Sequence, residues 1–431
     1  MALKRIVVGD GIYLNLIECD KFKTNCISVD FLSPLSPETA AHNALLPFVL
    51  TKGTKELPNM ALLTKELDML YGSRIIPSVS KSGDVQRFGF LSYPLRKEYA
   101  EECDITLEVF KLIGKMLNSP YLEDGYLSKE YTEREKEIMI DRINAQINDK
   151  AHYSLLRCRE IMAEGEAYAI PETGRIGDLE NVTEKSLTKA LKTAMNTLRI
   201  EIYCIGVFDT EALISLTGEI FSSPERKTPS PLTTERNGIP KEIKRITETQ
   251  EIKQGKLCMG YKTYAATEKE RLPAYTVFTE ILSGSPTAKL FMNVREKKSL
   301  CYYCTAVSDT NKGIMIIASG INVSDKEKAE EAINEQIEAI RNGNITDSEL
   351  EAARKSITNS IKSLYDDSGA LRGWYLNRGI FKEATEPSEF LEKALLVTKE
   401  NIVEIAKQVV PDTVYFLEGS ICDEEGENDY E

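Results

Sequence analysis

Apolar positions along the chain follow two patterns, and each pattern predicts a different kind of element. Arg199–Gly206 is a run rich in isoleucine, tyrosine and cysteine, which is typical of a buried strand. In Glu130–Glu164 apolar residues recur every three or four positions, which predicts an amphipathic helix with one buried face. Both patterns occur throughout the chain, and turn residues between predicted strands indicate hairpins. The pattern therefore predicts an α+β fold with mostly antiparallel strands.

The same order of elements occurs in both halves of the chain. In the first half, Thr183 is the predicted N-cap of a short helix that precedes the strand Arg199–Gly206. In the second half, Thr398 has the same place ahead of a strand at Val414–Gly419. A pair of helices followed by a hairpin also recurs. We therefore expect two homologous domains from an internal duplication, each a mostly antiparallel sheet covered by helices on one face.

Composition sets the expected domain boundaries. Residues 222–248 contain several prolines and hydroxyl residues and few apolar ones, which indicates an extended linker. The N-terminal domain is then expected at residues 1–221 and the C-terminal domain at residues 249–421. Residues 422–431 hold six acidic residues and almost no apolar surface, so they are expected to form an acidic tail without a packed structure.

The net charge excludes two classes of partner. A formal charge of −14 at pH 7 repels phosphate backbones and anionic lipids, which argues against nucleic acid and membrane surfaces. The first residues lack the apolar core of a signal peptide, and no later stretch is apolar enough to span a membrane. We therefore expect a cytoplasmic protein.

The cysteines and histidines offer little conventional site chemistry. Nine cysteines are scattered through apolar runs and are expected to be reduced core thiols. Cys301 and Cys304 form a C-x-x-C pattern, but on a predicted strand they would point to opposite faces, which argues against a redox or zinc role. The two histidines, His42 and His152, are far apart in sequence and are interpreted as polar residues on helix surfaces.

Several short segments in a fixed order resemble the pitrilysin/insulinase family of zinc peptidases. They are the helix followed by TKGT at residues 51–54, a later helix rich in Glu and Arg, the segment Gly174–Thr183, and VREKKSLCYY at residues 294–303. The resemblance extends over nearly the whole chain. It implies two homologous domains with the metallohydrolase fold of the mitochondrial processing peptidase type.

The zinc motif of that family is degenerate in this chain. Active members carry H-x-x-E-H, in which two histidines bind zinc and the glutamate is the general base, and a glutamate from a later helix completes the site. The five motif positions fall on Ala44-Leu45-Leu46-Pro47-Phe48, and the later ligand position holds Arg142. Neither Ala44 nor Phe48 has a lone pair for a metal, Pro47 replaces the base, and the cation of Arg142 would repel zinc. The resemblance thus implies that this chain holds no metal or other cofactor.

The second half keeps a pattern that active members use to bind substrate. In Val294–Tyr302 the residues Arg295 and Tyr302 match an arginine and a tyrosine of the family. The resemblance implies that both bind the substrate carbonyl and help to stabilise the tetrahedral oxyanion. Tyr303 is the adjacent alternative for the phenol. Taken without the family, the pair would be a solvated arginine at a helix end and a strand tyrosine, because the spacing Arg-x6-Tyr also recurs by chance.

Bacterial members of the family often consist of two chains, one with the zinc motif and one with the Arg/Tyr pair. The resemblance therefore implies a heterodimer with a zinc-bearing paralogue of similar size, in which the zinc belongs to the partner and this chain is inactive alone. The substrate would be a peptide, and a homodimer of the isolated chain is left open. The alternative is a non-catalytic scaffold or a peptide-binding protein with the same fold.

Overall fold

The computed structural model describes residues 2–100, 103–236, 238 and 240–419. The strands are β1 Lys4–Gly9, β2 Ile12–Glu18, β3 Cys26–Pro34, β4 Ile76–Ser82, β5 Val85–Ser92, β6 Leu122–Glu123, β7 Tyr126–Leu127, β8 Arg199–Gly206, β9 Lys244–Gln250, β10 Gly255–Lys262, β11 Tyr303–Asp309, β12 Ile314–Ile321 and β13 Val410–Gly419. The helices are α1 Pro37–Leu50, α2 Met60–Met69, α3 Ile105–Asn118, α4 Lys129–Ala145, α5 Lys150–Met162, α6 Ile176–Glu180, α7 Glu184–Thr197, α8 Thr210–Phe221, α9 Leu272–Ser283, α10 Lys326–Arg341, α11 Asp347–Leu364, α12 Ser368–Arg378, α13 Pro387–Leu395 and α14 Lys399–Ala406. One further segment, Leu290–Lys297, is π-helical.

Five strands of each main sheet share one topology, and the first sheet has β1 as an additional edge strand, which confirms the predicted duplication. The first sheet has the strand order β1-β2-β8-β3-β5-β4, and only the β2–β8 pair is parallel. The second has the order β9-β13-β10-β12-β11, and only the β9–β13 pair is parallel. Equivalent helices before β8 and β13 begin at the predicted N-caps Thr183 and Thr398, and the structure shows that each N-cap forms a capping box. The fold is α+β, as the residue pattern indicated.

The chain forms two compact units whose boundaries differ from the predicted domains at 1–221 and 249–421. Of the described residues, unit 1 contains those up to Asn144 together with Ile170–Thr234 and Ser363–Glu386, and unit 2 contains Ala145–Ala169, Glu235–Lys362 and those from Pro387 to Gly419. Each half of the sequence therefore contributes one segment to the other unit. The predicted tail, residues 422–431, lies outside the described residues.

The predicted linker at 222–248 extends too far. Strand β9 begins at Lys244 and pairs with β13 at the edge of the second sheet. Its residues, KRITETQ, are mostly polar and exposed, so the hydrophobic pattern contains no signal for it. Backbone pairing, rather than side-chain burial, makes this segment a strand.

We call Ala145–Ala169 and Ser363–Glu386 the exchanged segments, because each lies in the unit formed mainly by the other half of the sequence. Each carries one helix that packs against the second face of a sheet. In unit 2, α5 packs on β10 and β13; in unit 1, α12 packs on β8 and β3. The helix predicted at Glu130–Glu164 is thus two helices, because Asp149 begins a new one by accepting the His152 N–H at 3.0 Å. The prediction that helices cover one face of each sheet was therefore incomplete.

A buried ion pair holds α12 on the first sheet. Alternate residues of β3 face the main core of unit 1, and the others face α12. On the α12 side, Ser28 and Asp30 accept hydrogen bonds from Arg372, which lies on α12. The side chain of Asp30 is 3% exposed, so Arg372 supplies the charge that this carboxylate needs in the interior.

A comparable cluster holds the segment after α5 in unit 2. The Glu166 carboxylate lies 2.6 Å from the Lys312 ammonium and 3.7 Å from that of Lys262. The side chains of Glu166 and Lys312 are 3% and 2% exposed. Both exchanged segments are therefore held by charges that are almost completely removed from water.

Among the described helices, none is long and apolar enough to cross a membrane.

Candidate functional site

Helix α1 carries the degenerate zinc motif, and the first three positions of that motif belong to the core of unit 1. The helix begins after Ser36 with Pro37 at its first position, and it continues through Pro47 to Leu50. Ala44 is fully buried among apolar residues, and Phe48 packs at the edge of the same core. The helix therefore contributes hydrophobic packing at the positions where active relatives place metal ligands.

Helices α1 and α4 meet at two of the replaced positions. The guanidinium of Arg142 on α4 lies over the ring of Phe48, 5.4 Å from its centroid. The Lys52 ammonium, just after α1, lies 2.9 Å from the buried carboxylate of Glu135 on α4. Phe48 and Arg142 are thus neighbours, as the resemblance implies for two ligand positions. Their contact is a cation–π interaction.

These residues do not fit a zinc ion. Ala44, Pro47 and Phe48 offer no side-chain donor, and Arg142 brings a positive charge to the place where a dication would bind. No group of three or more His, Cys, Asp and Glu side chains in the described part of the chain could hold a metal ion. We therefore derive no metal chemistry from this chain's own residues.

His42 lies on α1 near the motif, and its surroundings are structural. Its Nε2 is 3.0 Å from the Ser186 hydroxyl on α7. Burial lowers the pKa of His42 below its ordinary value of 6.5. The imidazole is therefore part of the packing between α1 and α7.

The lowered pKa of His42 has an expected consequence for stability. Below about pH 6.5, His42 binds a proton more readily in the unfolded chain than in the folded chain. The free energy of unfolding should therefore fall as the pH decreases. Urea denaturation at about pH 7.5 and about pH 5.5 should show a smaller loss for His42→Gln than for the wild type. An equal loss in both proteins would contradict the assignment of this effect to His42.

Arg295 lies on the π-helical segment Leu290–Lys297 of unit 2. Its guanidinium lies over the ring of Phe291, 4.7 Å from the centroid, and its Nε is 3.6 Å from the Glu296 carboxylate. The Arg295 side chain is 43% exposed. π-Helical turns are rare and occur often at functional sites. Phe291 thus holds the guanidinium plane at the surface while the N–H donors remain accessible to solvent.

Tyr302 is an exposed residue immediately before β11. Its N–H donates to the Gly320 carbonyl at 2.8 Å, which ties its backbone to β12. Tyr302 is 59% exposed, and its hydroxyl donates to Asn322 Oδ1 at 3.2 Å. In contrast, Tyr303 packs against the α5 side of the sheet, and burial raises the pKa of its phenol to about 12. Tyr302 is therefore the more accessible of the two phenols.

The predicted site residues fall into two sets. Ala44, Pro47, Phe48 and Arg142 belong to unit 1, whereas Arg295 and Tyr302 belong to unit 2. Sequence reasoning missed the residues that position the second set, Phe291 and Asn322. Phe291 could have been found, because it lies four residues before Arg295 on a predicted helix. The contact of Asn322 with Tyr302 depends on strand pairing and left no local signal.

Comparison with known proteins gives two relatives in Bacillus subtilis (strain 168). "Probable inactive metalloprotease YmfF" is 30% identical over 413 residues, which cover 95% of this chain and 96% of the relative. "Uncharacterized zinc protease YmxG" is 29% identical over 119 residues, which cover 27% of this chain and 29% of that protein. The family model described as "Peptidase M16 inactive domain" matches residues 181–357.

Solved structures show the same fold. A conserved protein from Enterococcus faecalis V583 has a TM-score of 0.88 and 27% identity, with 99% of this chain and 100% of that chain covered. The peptidase M16 inactive domain from Pseudomonas fluorescens has a TM-score of 0.80 at 13% identity, with 98% and 99% covered. The resemblance to pitrilysin/insulinase peptidases is confirmed, and the match to YmfF extends over almost the whole chain. The chain therefore belongs to the M16 peptidase family.

Proposed function

We propose that this chain is the non-zinc-binding subunit of a peptide-hydrolysing enzyme. It contributes Arg295 and Tyr302 to the active site of a zinc-bearing paralogue of similar size. The observation that carries this proposal is a contrast within the chain. The positions of the zinc motif are filled by apolar side chains and a cation, while Arg295 and Tyr302 expose 43% and 59% of their surface.

The two exposed side chains have the chemistry needed to bind a peptide carbonyl. A guanidinium offers several N–H donors in one plane, and a phenol offers one O–H donor. A carbonyl oxygen that becomes an oxyanion accepts such bonds more strongly, so these donors would stabilise the tetrahedral intermediate more than the bound peptide. The ring of Phe291 limits the motion of Arg295. The Tyr302 hydroxyl donates its single proton to Asn322 Oδ1 in the free chain and would turn from Asn322 to the carbonyl oxygen when the peptide binds.

The remaining chemistry would come from the partner. A bound zinc ion lowers the pKa of its water and so supplies a nucleophile near neutral pH. Bacillus subtilis contains both a relative described as a probable inactive metalloprotease and one described as a zinc protease. The presence of both kinds of relative in one organism supports a pairing of an inactive chain with a zinc-bearing one.

The test is reconstitution with the zinc-bearing paralogue from the same genome. Each chain is purified alone and after co-expression, and hydrolysis of a quenched fluorescent peptide is measured. We expect a stable complex that hydrolyses the peptide and no hydrolysis by this chain alone. If the zinc-bearing chain is equally active without this one, the proposal fails. If a complex forms but is insensitive to substitution of Arg295 and Tyr302, the chain is a scaffold instead.

A further inference from the structure

An open cleft of about 580 Å³ lies in unit 2, between the start of α5 and the connection from β9 to β10. We call it the lysine cleft, because lysine is the residue type that its lining contains most often. The lining residues are Asn148, Asp149, Lys150, Ala151, Ile252, Lys253, Gln254 and Lys256. Three lysines and one aspartate make the lining positive, although the whole chain carries a formal charge of −14.

The lysines of the cleft are bonded to neutral groups. The ammonium of Lys150 donates to Gln250 Oε1 at 2.6 Å, and that of Lys256 donates to Gln254 Oε1. Within the described part of the chain, no carboxylate forms an ion pair with either of them or with Lys253, which is exposed. An amide oxygen accepts a hydrogen bond but carries no net charge. The positive charge of the lysine cleft is therefore not neutralised by these contacts.

Partial burial makes this charge unfavourable at Lys256. Its ammonium lies 5.6 Å from the centroid of the Tyr303 ring. Burial lowers the pKa of Lys256 below its ordinary value of 10.5, and the charge of Asp149 opposes this effect. The Asp149 carboxylate also accepts the His152 N–H at the start of α5. A further carboxylate in the cleft would therefore stabilise the charged form of Lys256.

Strand β13 carries an acidic segment to the edge of the lysine cleft. Its last residue, Gly419, pairs with Gln250, and a Cβ at Gly419 would lie 2.1 Å from the carbonyl oxygen of Ile252, a lining residue. Residues 422–431, CDEEGENDYE, hold six acidic residues and lie outside the described part of the chain. The first acid, Asp423, is four residues beyond Gly419. An extended chain spans about 3.3–3.6 Å per residue, so Asp423 can reach any point within about 14 Å of Gly419.

We propose that the lysine cleft is the docking site of residues 422–431 of the same chain. Their carboxylates pair with the ammonium groups of Lys150, Lys253 and Lys256. A single exposed ion pair contributes little, but several pairs can form here together. Attachment through a short segment also gives the acidic residues an effective concentration on the order of millimolar at the cleft. Docking neutralises the charge of the cleft, and because the pairs are near the surface, salt weakens it.

The first test measures the reactivity of lysines in the full chain. The wild type and a variant with a neutral tail are acetylated for increasing times, and mass spectrometry gives the rate at each lysine. We expect Lys253 and Lys256 to react several-fold more slowly in the wild type, because pairing stabilises the unreactive ammonium. Lys407 is the matched control, since it is exposed and precedes the opposite end of β13. The neutral tail combines Asp423→Asn, Glu424→Gln, Glu425→Gln, Glu427→Gln, Asp429→Asn and Glu431→Gln.

The second test identifies the paired groups by cross-linking with a water-soluble carbodiimide, which joins a carboxylate to a neighbouring lysine. The monomer should contain links from residues 422–431 to the lysines of the cleft. These links should decrease in about 1 M NaCl, where the Debye length is about 3 Å, and in the double variant Lys253→Gln, Lys256→Gln. Equal acetylation rates in the wild type and the neutral-tail variant would overturn the proposal. Links formed equally with Lys407, or only between two copies of the chain, would also overturn it.

Discussion

Replacing Tyr302 with phenylalanine should lower peptide turnover by the reconstituted complex about 10²- to 10³-fold, because one donor to the oxyanion is lost. The change removes a single hydroxyl from an exposed side chain. Its bond to Asn322 is 3.2 Å long and lies at the surface, so folding and assembly should be unaffected. The loss should appear in kcat more than in KM, since the donor acts mainly on the transition state.

Arg295→Ala should cause a loss of similar size, and Arg295→Lys should restore only part of it, because an ammonium lacks the planar fork of donors. Tyr303→Phe and Lys298→Ala are matched controls. Tyr303 is a packed neighbour of Tyr302, and Lys298 is an exposed cation close to Arg295 with its own partner, Glu335. Turnover that is unchanged in the Tyr302 and Arg295 variants, with an intact complex, would rule out their proposed role.

Removing the charge partner of Asp30 should strongly destabilise unit 1. Arg372→Ala leaves a carboxylate that is 3% exposed without its cation, and breaking such a buried pair costs about 3–5 kcal/mol. Urea denaturation measures the change in the free energy of unfolding. Asp366→Ala is the control, since it removes an exposed pair with Lys21 from the same exchanged segment and should have little effect. Equal stability of the two variants would contradict this account.

The corresponding change in unit 2 is Glu166→Ala. It leaves Lys312 and Lys262 without the carboxylate that lies between them, and a loss of about 3–5 kcal/mol is expected again. Glu164→Ala is the control, because Glu164 is two residues away and its pair with Lys244 is exposed. Limited proteolysis should cleave the Glu166 variant around α5 earlier than the control.

Much of the fold could be predicted because its signals are local. Capping at Thr183 and Thr398 and the two strands that follow these helices are visible in short windows of sequence, and their repetition identified the duplication. The exchange of α5 and α12 could not be predicted in this way. Both are ordinary amphipathic helices, and the sheet that each one covers is decided by partners far away in sequence, such as Asp30 for Arg372.

The site was predictable where residue identity decides the chemistry. The absence of donors at Ala44 and Phe48 and the spacing of Arg295 and Tyr302 can be read directly from the sequence. The contact of Tyr302 with Asn322 could not be, because it depends on the pairing of β11 with β12.

The exchange of helices also bears on how the chain folds while it is being synthesised. Every strand of the first sheet lies before residue 207, yet the helix that neutralises Asp30 ends at Arg378. A nascent chain that has released only its first half therefore exposes one apolar sheet face with a buried-type carboxylate at its centre. Such a surface favours aggregation until the covering segment emerges. Unit 1 can be completed only after α12 has been synthesised, and unit 2 only after β13.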